Sequence, residues 1–310
     1  QRQVIRGRRL RVDTTVVETN IRYPTDAGLL ADGVRVLTRT LRRLGETVRE
    51  RSRSVARRVF EIAQRSRTAS PRMSATVRER SKARMKVLYQ GLLRITRAVV
   101  RHAETAVVRG RGRRGGAQLP GTIELVRHVL AQTRARILGG DTHYPGKVVS
   151  LFEPHTEIIR KGKLARPTEF GRRVMIQEAE AQFITDYAVC EPGQRDRALW
   201  GPAVERHLTL FGRAPRLAVA DGGFASRRNE RAAQDLGVRH VVLPWQPRAR
   251  RSRLARAALR WRTGSEGRIS ALKRCHGWRR CRYRGERGMQ RWVGLGVIAN
   301  DLLVLGRAGP

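Results

Sequence analysis

Residues 10–21 read LRVDTTVVETNI, a run of Val and Thr with one carboxylate, Asp13, in its midst. Branched side chains of this kind favour a pleated, buried strand. An acid inside such a strand needs a reason, because an unpartnered buried carboxylate is costly. The next segment, YPTDAGLLADGVRVLTRTLRRLG (23–45), opens with Pro24 and Asp26 and then repeats Leu29, Leu30, Val34, Leu37 and Leu41 at helical spacing. That pattern predicts a helix directly after the strand.

Helical periodicity continues to about residue 140, with Val55, Val59 and Ile62 in one stretch and Leu88, Leu92, Ile95 and Val99 in another. A low-complexity RGRGRRGG (109–116) precedes a third stretch carrying Ile123, Val126, Val129, Leu130 and Ile137. The outer faces of this insertion are saturated with Arg, which suits contact with a DNA backbone and equally a solvated helical face. The pattern then changes to short β-like runs, KVVSLF (147–152), RRVMIQEA (172–179) and AQFITDYAVCE (181–191), expected to pair as strands. A helix over 198–211 leads to an apolar strand, 217–220, that ends at Asp221 and is stopped by Gly222 and Gly223. A helix over 228–236 closed by Gly237, a strand over 238–244, and a final helix from about 256 past Cys275 complete the order.

This succession predicts an α/β fold, a mixed sheet with helices on both faces, interrupted after its first strand by a long helical insertion. The expected division is 1–24 for the first strand of the core, 25–140 for the Arg-rich insertion, and 141–310 for the rest of the core and a C-terminal helix.

Of 310 residues, 66 are Lys or Arg and 26 are Asp or Glu, a formal net charge of +40. Such a field repels itself, and Arg forks match phosphate oxygens, so nucleic acid is the natural partner. Three cysteines, Cys190, Cys275 and Cys281, are too few for a secreted disulfide scaffold and fit a reducing cytoplasm. No apolar run approaches the length of a membrane span. The chain opens on Gln1 with a strand within ten residues, which suggests a missing upstream portion.

In a chain so short of acids, Asp13 and Asp221 at strand positions stand out. If their strands are neighbours, the two carboxylates face one point, and oxygen-only ligation selects a hard divalent cation such as Mg2+ or Mn2+. Two such ions can activate an attacking oxygen and stabilise the leaving oxygen of a phosphodiester. Glu266, on the helix after the last strand, is the third acid able to complete the set. Each also has a plainer role open to it: Asp13 as a salt-bridged strand residue, Asp221 as a turn former, Glu266 as a surface acid.

Four blocks carry a resemblance. VDTTVVETNIRYPTDAGLLADGVRVLTR (12–39), SLFEPHTEIIRKGKLARPTEFGRRVMIQEAEAQFIT (150–185), VADGGFASRRNERAAQDLGVRHVVLP (219–244) and RTGSEGRISALKRCHGWRRCRYRGERGMQRWVGLGVIANDLL (262–303) resemble, in order, the catalytic blocks of bacterial insertion-sequence transposases of the DDE class, in the broad ISNCY-type group. The resemblance implies an RNase H-like core in which Asp13, Asp221 and Glu266 are catalytic and bind two Mg2+ or Mn2+ ions. Arg262, Glu266 and Lys273 match the spacing of a Tyr-Arg-Glu-Lys signature of related transposases, with Leu259 where the Tyr stands. By that likeness Arg262 and Lys273 grip phosphates beside the cut. Lys161 and Lys163 of RKGK, with Glu169, are candidates to touch DNA or support the site, and a solvated turn joining two strands is the plainer role open to them. The implied activity is metal-dependent cleavage and strand transfer at element ends by a cytoplasmic, nucleoid-associated homodimer or higher oligomer bound to transposon-end and target DNA, without a membrane. A pure nuclease and a basic DNA-binding remnant without catalysis are the rival readings.

Overall fold

A computed structural model describes residues 5–110, 117–160, 167–244 and 252–307. Among them lie a seven-stranded mixed sheet and eight α-helices. The chain divides into two compact units, one formed by Gln1–Asn20 with His155–Pro310, the other by Ile21–Pro154.

The first unit is built around β1 (Arg9–Thr19). One edge of β1 runs antiparallel to β3 (Thr168–Glu178), in a register from Arg11 opposite Glu178 to Glu18 opposite Gly171. Gly171 is required there, because a Cβ at that position would run into the Val17 carbonyl. The far edge of β3 is shared by two short strands, β2 (Glu157–Arg160) and β4 (Ile184–Val189), both antiparallel to it. The other edge of β1 is parallel to β5 (Leu217–Val219), which in turn is parallel to β6 (His240–Val242). Beyond β5, at Glu18 and Thr19, β1 pairs with the two-residue β7 (Arg280–Cys281).

Alternate side chains of β1 leave by opposite faces. Leu10 and Val12 pack with Trp200 and Val204 of α5 (Asp196–Phe211), and with Phe224 and with Ala233 of α6 (Arg227–Asp235). Val17 packs with Leu272 of α7 (Arg253–Cys275), with Trp278, and with Met289 and Val293 of α8 (Gly285–Arg307). The sheet is therefore covered on both faces, as the succession of elements suggests.

The second unit is helical: α1 (Asp26–Arg43), α2 (Ser52–Thr68), α3 (Ala75–Val108) and α4 (Leu119–Gly139). Thr25 caps α1 by accepting from the Gly28 amide at 3.1 Å. Gly140, in the left-handed region at φ 74, closes α4. Leu30, Leu37 and Leu41 of α1 bury against Leu92 and Leu93 of α3 and Val126 and Val129 of α4.

Two local expectations fail for identifiable reasons. Residues 147–152 form no strand, and the first strand after the insertion is β2. The backbone of Val148 is satisfied by a side chain instead, its amide donating to Gln132 Oε1 at 2.9 Å and its carbonyl accepting from Gln132 Nε2 at 3.0 Å. Val148 and Leu151 pack on the helical core. The second failure concerns the end of the chain, where α7 is not the last helix: it stops before Gly277, at φ 77, and β7 and α8 follow.

Candidate functional site

Asp13 sits where the covered edge of β1 is interrupted. β5 pairs with Arg9–Arg11 and β7 with Glu18–Thr19, leaving the middle of β1 unladdered on that side. The last parallel pair is Arg11 with Val219, so extending the register by two residues sets Asp13 level with Asp221. Neighbouring strands lie about 4.8 Å apart. Asp221 caps a 3-10 turn (Gly222–Phe224), its Oδ1 accepting from the Gly223 amide at 2.8 Å.

Asp13 is 7% exposed, and its Oδ1 accepts from the Thr14 amide at 2.8 Å. Its Oδ2 accepts from Arg262 at 3.2 Å, and the same guanidinium donates to Glu266 Oε1 at 3.1 Å. Burial pushes the Asp13 carboxyl from 3.8 up to about 6. The Thr14 amide and Arg262 oppose that rise, while the negative charges of Asp221 and Glu266 add to it. Of the three acids singled out in the sequence, Asp221 and Glu266 thus both lie within the field of Asp13. Arg262, read from the sequence as a phosphate contact, stands between two of them.

α7 carries the third acid and is held on the sheet by polar links. Arg11, paired with Glu178 across the β1–β3 ladder, bonds to it at 2.6 Å, with the two side chains 4% and 1% exposed. Arg11 also donates to the Trp261 carbonyl at 2.6 Å. Arg268 reaches the same Glu178 at 3.5 Å and Asn300 at 2.8 Å. Gly264 lets α7 come this close, since a Cβ there would strike the Arg11 guanidinium. Arg11 and Asp13 are two residues apart, so they leave β1 by the same face.

Comparison of the chain with protein families, curated proteins and solved structures found no match.

Asp196, the first residue of α5, is a fourth carboxylate that the sequence reading missed. It accepts from Arg173 at 3.0 Å and from the Thr14 hydroxyl at 3.4 Å. A Cβ on Gly223 would meet Asp196 Oδ2 at 2.9 Å and Asp221 Oδ1 at 3.0 Å, so these two carboxylates flank a residue that must stay small. Its sequence surroundings, EPGQRDR, read as loop and give no sign of this placement. The signal for Arg11 was present: two charges at alternate positions of one apolar strand.

Lys273 is on α7, eleven residues after Arg262, which returns it to the same helical stripe about 16 Å along the axis. Glu169 lies on β3 opposite Ile159, at the hairpin with β2. Lys161, Lys163 and Trp245 fall outside the described residues. Trp278 is fully buried, donating to the Val293 carbonyl at 3.1 Å, and Trp261 carries Arg11 over its ring at 5.0 Å. Among the described residues, no three His, Cys, Asp or Glu side chains are grouped as a metal cluster. The chemistry of the donor set suits a hard cation all the same: Asp13, Asp221 and Glu266 offer only carboxylate oxygens, and Asp13 is a desolvated acid whose anion a cation would favour. No helix among the described residues is long and apolar enough to cross a membrane.

Proposed function

We propose that the first unit is the RNase H-like catalytic core of a DDE transposase of the insertion-sequence kind, acting on element-end and target DNA. The strand order β4-β3-β1-β5-β6, antiparallel on one side of β1 and parallel on the other, supports the fold reading. The observation that carries the activity is that Asp221 and Glu266, from two other elements, both act on the buried Asp13 at the interrupted edge of β1. Asp13, Asp221 and Glu266 are the residues that would hold divalent ions. Bound Mg2+ or Mn2+ supplies the activation of a water or 3′-hydroxyl and the neutralisation of the leaving oxygen.

The chain's own residues do the rest. Asp13, ionised above about pH 6, presents its carboxylate from a rigid strand. Asp221 is fixed by its bond to the Gly223 amide. Arg262 bridges Asp13 and Glu266 and offsets part of their repulsion; with Glu266 engaged by a cation, its guanidinium would be available to fork onto a phosphate. Lys273, further along the same stripe, meets the backbone of the same strand.

The test is strand nicking of duplex DNA carrying the element's ends, in Mg2+, with strand-transfer products separating transposase from nuclease. Asp221→Ala is expected to reduce cleavage by more than about 100-fold, since even supporting residues of metal sites cost 10–100-fold. Undiminished cleavage removes the proposed mechanism. One observation favours a second reading, a DNA-binding chain without catalysis: Arg262 already neutralises Asp13 and Glu266 as a static ion pair would. That reading expects no nicking by the wild type in Mg2+ or Mn2+, and DNA affinity unchanged by Asp221→Ala.

A further inference from the structure

The helical unit holds a cavity of about 680 Å³ between α1 and the start of α2. Ala31, Val34, Val55 and Ala56 give it an apolar floor. Six arginines and two acids stand around it, an excess of four positive charges. Arg22 and Arg35 share Asp32 at 2.6 and 2.7 Å, whereas Arg39, Arg43 and Arg51 have no carboxylate partner among the described residues. The other acid, Glu50, is held in a particular way. One oxygen accepts from Arg42 at 2.7 Å and the other from the Ser52 amide at 2.7 Å, in the first turn of α2. Arg51, at the cap position of that helix, makes no side-chain capping bond. A guanidinium and a helix N-terminal amide closing on one anion is the arrangement that binds phosphate oxygens.

We propose that this cavity is a phosphate-binding site for an unpaired nucleic-acid strand, with Glu50 as an internal carboxylate that holds the phosphate position until a strand displaces it. A volume within the range of about 300–1,000 Å³ typical of small-ligand clefts admits one or two nucleotides and no duplex. The apolar floor suits the unstacked face of a base, which a paired and stacked strand cannot present, and the guanidinium rim supplies backbone contacts. The lining has no aromatic platform, so recognition is led by phosphate and is tolerant of sequence. This site lies wholly in the second unit and does not depend on the carboxylate chemistry proposed for the first.

The experiment is fluorescence anisotropy of the full chain with labelled decathymidylate and with a duplex of equal length, without divalent ions and across NaCl concentrations. Glu50→Gln, which removes the competing charge, is expected to tighten decathymidylate binding about 3- to 10-fold and leave duplex affinity unchanged. Changing Arg39, Arg43 and Arg51 together to Gln is expected to lower the salt slope for the single strand by about 2, at about 0.7 per phosphate contact. All three are at the surface or half-buried, and circular dichroism of each variant verifies the helices. An unchanged affinity in Glu50→Gln, or an unchanged slope in the triple variant, overturns the proposal. Equal effects on strand and duplex overturn it too, leaving only a general basic surface. Magnesium-dependent nicking is scored separately, so either idea can fail without the other.

Discussion

At Asp13 the cost of a buried charge and its use meet in one side chain. Its carboxyl, raised from 3.8 to about 6, holds its proton more tightly folded than unfolded. Stability therefore falls as pH rises from about 4 through 6, and the penalty is fully present above the folded value and absent below the unfolded one. A rise of that size corresponds to about 3 kcal/mol. Asp13→Asn is thus expected to raise the unfolding free energy at pH 7.5 by up to about 3 kcal/mol, and by less than about 1 kcal/mol at pH 4, read by urea unfolding. If Asn is instead the weaker residue at pH 7.5, Asp13 serves the Arg262 ion pair and not a site kept under charge strain. Asp13 was legible because an acid in a Val-rich strand is conspicuous. The pairing of Arg262 with it, and the neighbouring Asp196, were not, since register and helix docking bring these side chains there from 249 and 182 or 183 positions away.

Elements show the same division. β1, α1 and the strand before Asp221 follow directly from branched side chains, helical spacing and a Gly-Gly stop. α8 stayed hidden because its apolar residues surround it: Met289, Val293 and Val297 are buried, while Leu295, Ile298, Leu302 and Leu305 are exposed, so no single stripe marks a helix. The run 147–152 has a strand's composition, and only the Gln132 side chain decides otherwise. What docks α7 is equally long-range. Glu178 answers Arg11 and Arg268 inside the protein; burial drives its carboxyl pKa up and the two guanidiniums draw it back. Glu178→Ala strands two buried cations and is expected to cost about 3–5 kcal/mol, whereas Glu266→Gln, at a side chain 68% exposed, is expected to cost under about 1 kcal/mol. Replacing the pair together, Arg11→Met with Glu178→Leu, is expected to recover part of the loss in the same unfolding assay. A Glu178→Ala protein as stable as the wild type removes the idea that this cluster sets the position of α7.

For the molecule as a whole, charge is the property the sequence states most directly. The excess is shared: Ile21–Pro154 has 29 Lys and Arg against 10 Asp and Glu, which leaves 37 against 16 for the remainder of the 310 residues. Many of the acids are already committed to ion pairs, among them Asp32, Glu50, Glu178 and Asp186, so few remain to offset the surplus basic charge. Repulsion among exposed like charges is screened over about 10 Å at 0.1 M salt and about 3 Å at 1 M. Raising NaCl from about 0.05 to about 0.5 M, at about pH 7.5, spans most of that screening range. It is therefore expected to raise the melting temperature, against the loss of the exposed pairs, which are worth little each. The first unit can be followed by itself. All five tryptophans, at 200, 245, 261, 278 and 292, belong to it, so their fluorescence reports it, while helical circular dichroism, with four α-helices in each unit, reports both together. Both signals should shift upward, because both units carry the surplus. A melting temperature that falls with NaCl means that attractive pairs outweigh repulsion, in the first unit if fluorescence shows it and across the molecule if circular dichroism does, and the need for an anionic polymer, inferred from the charge alone, then loses its physical basis.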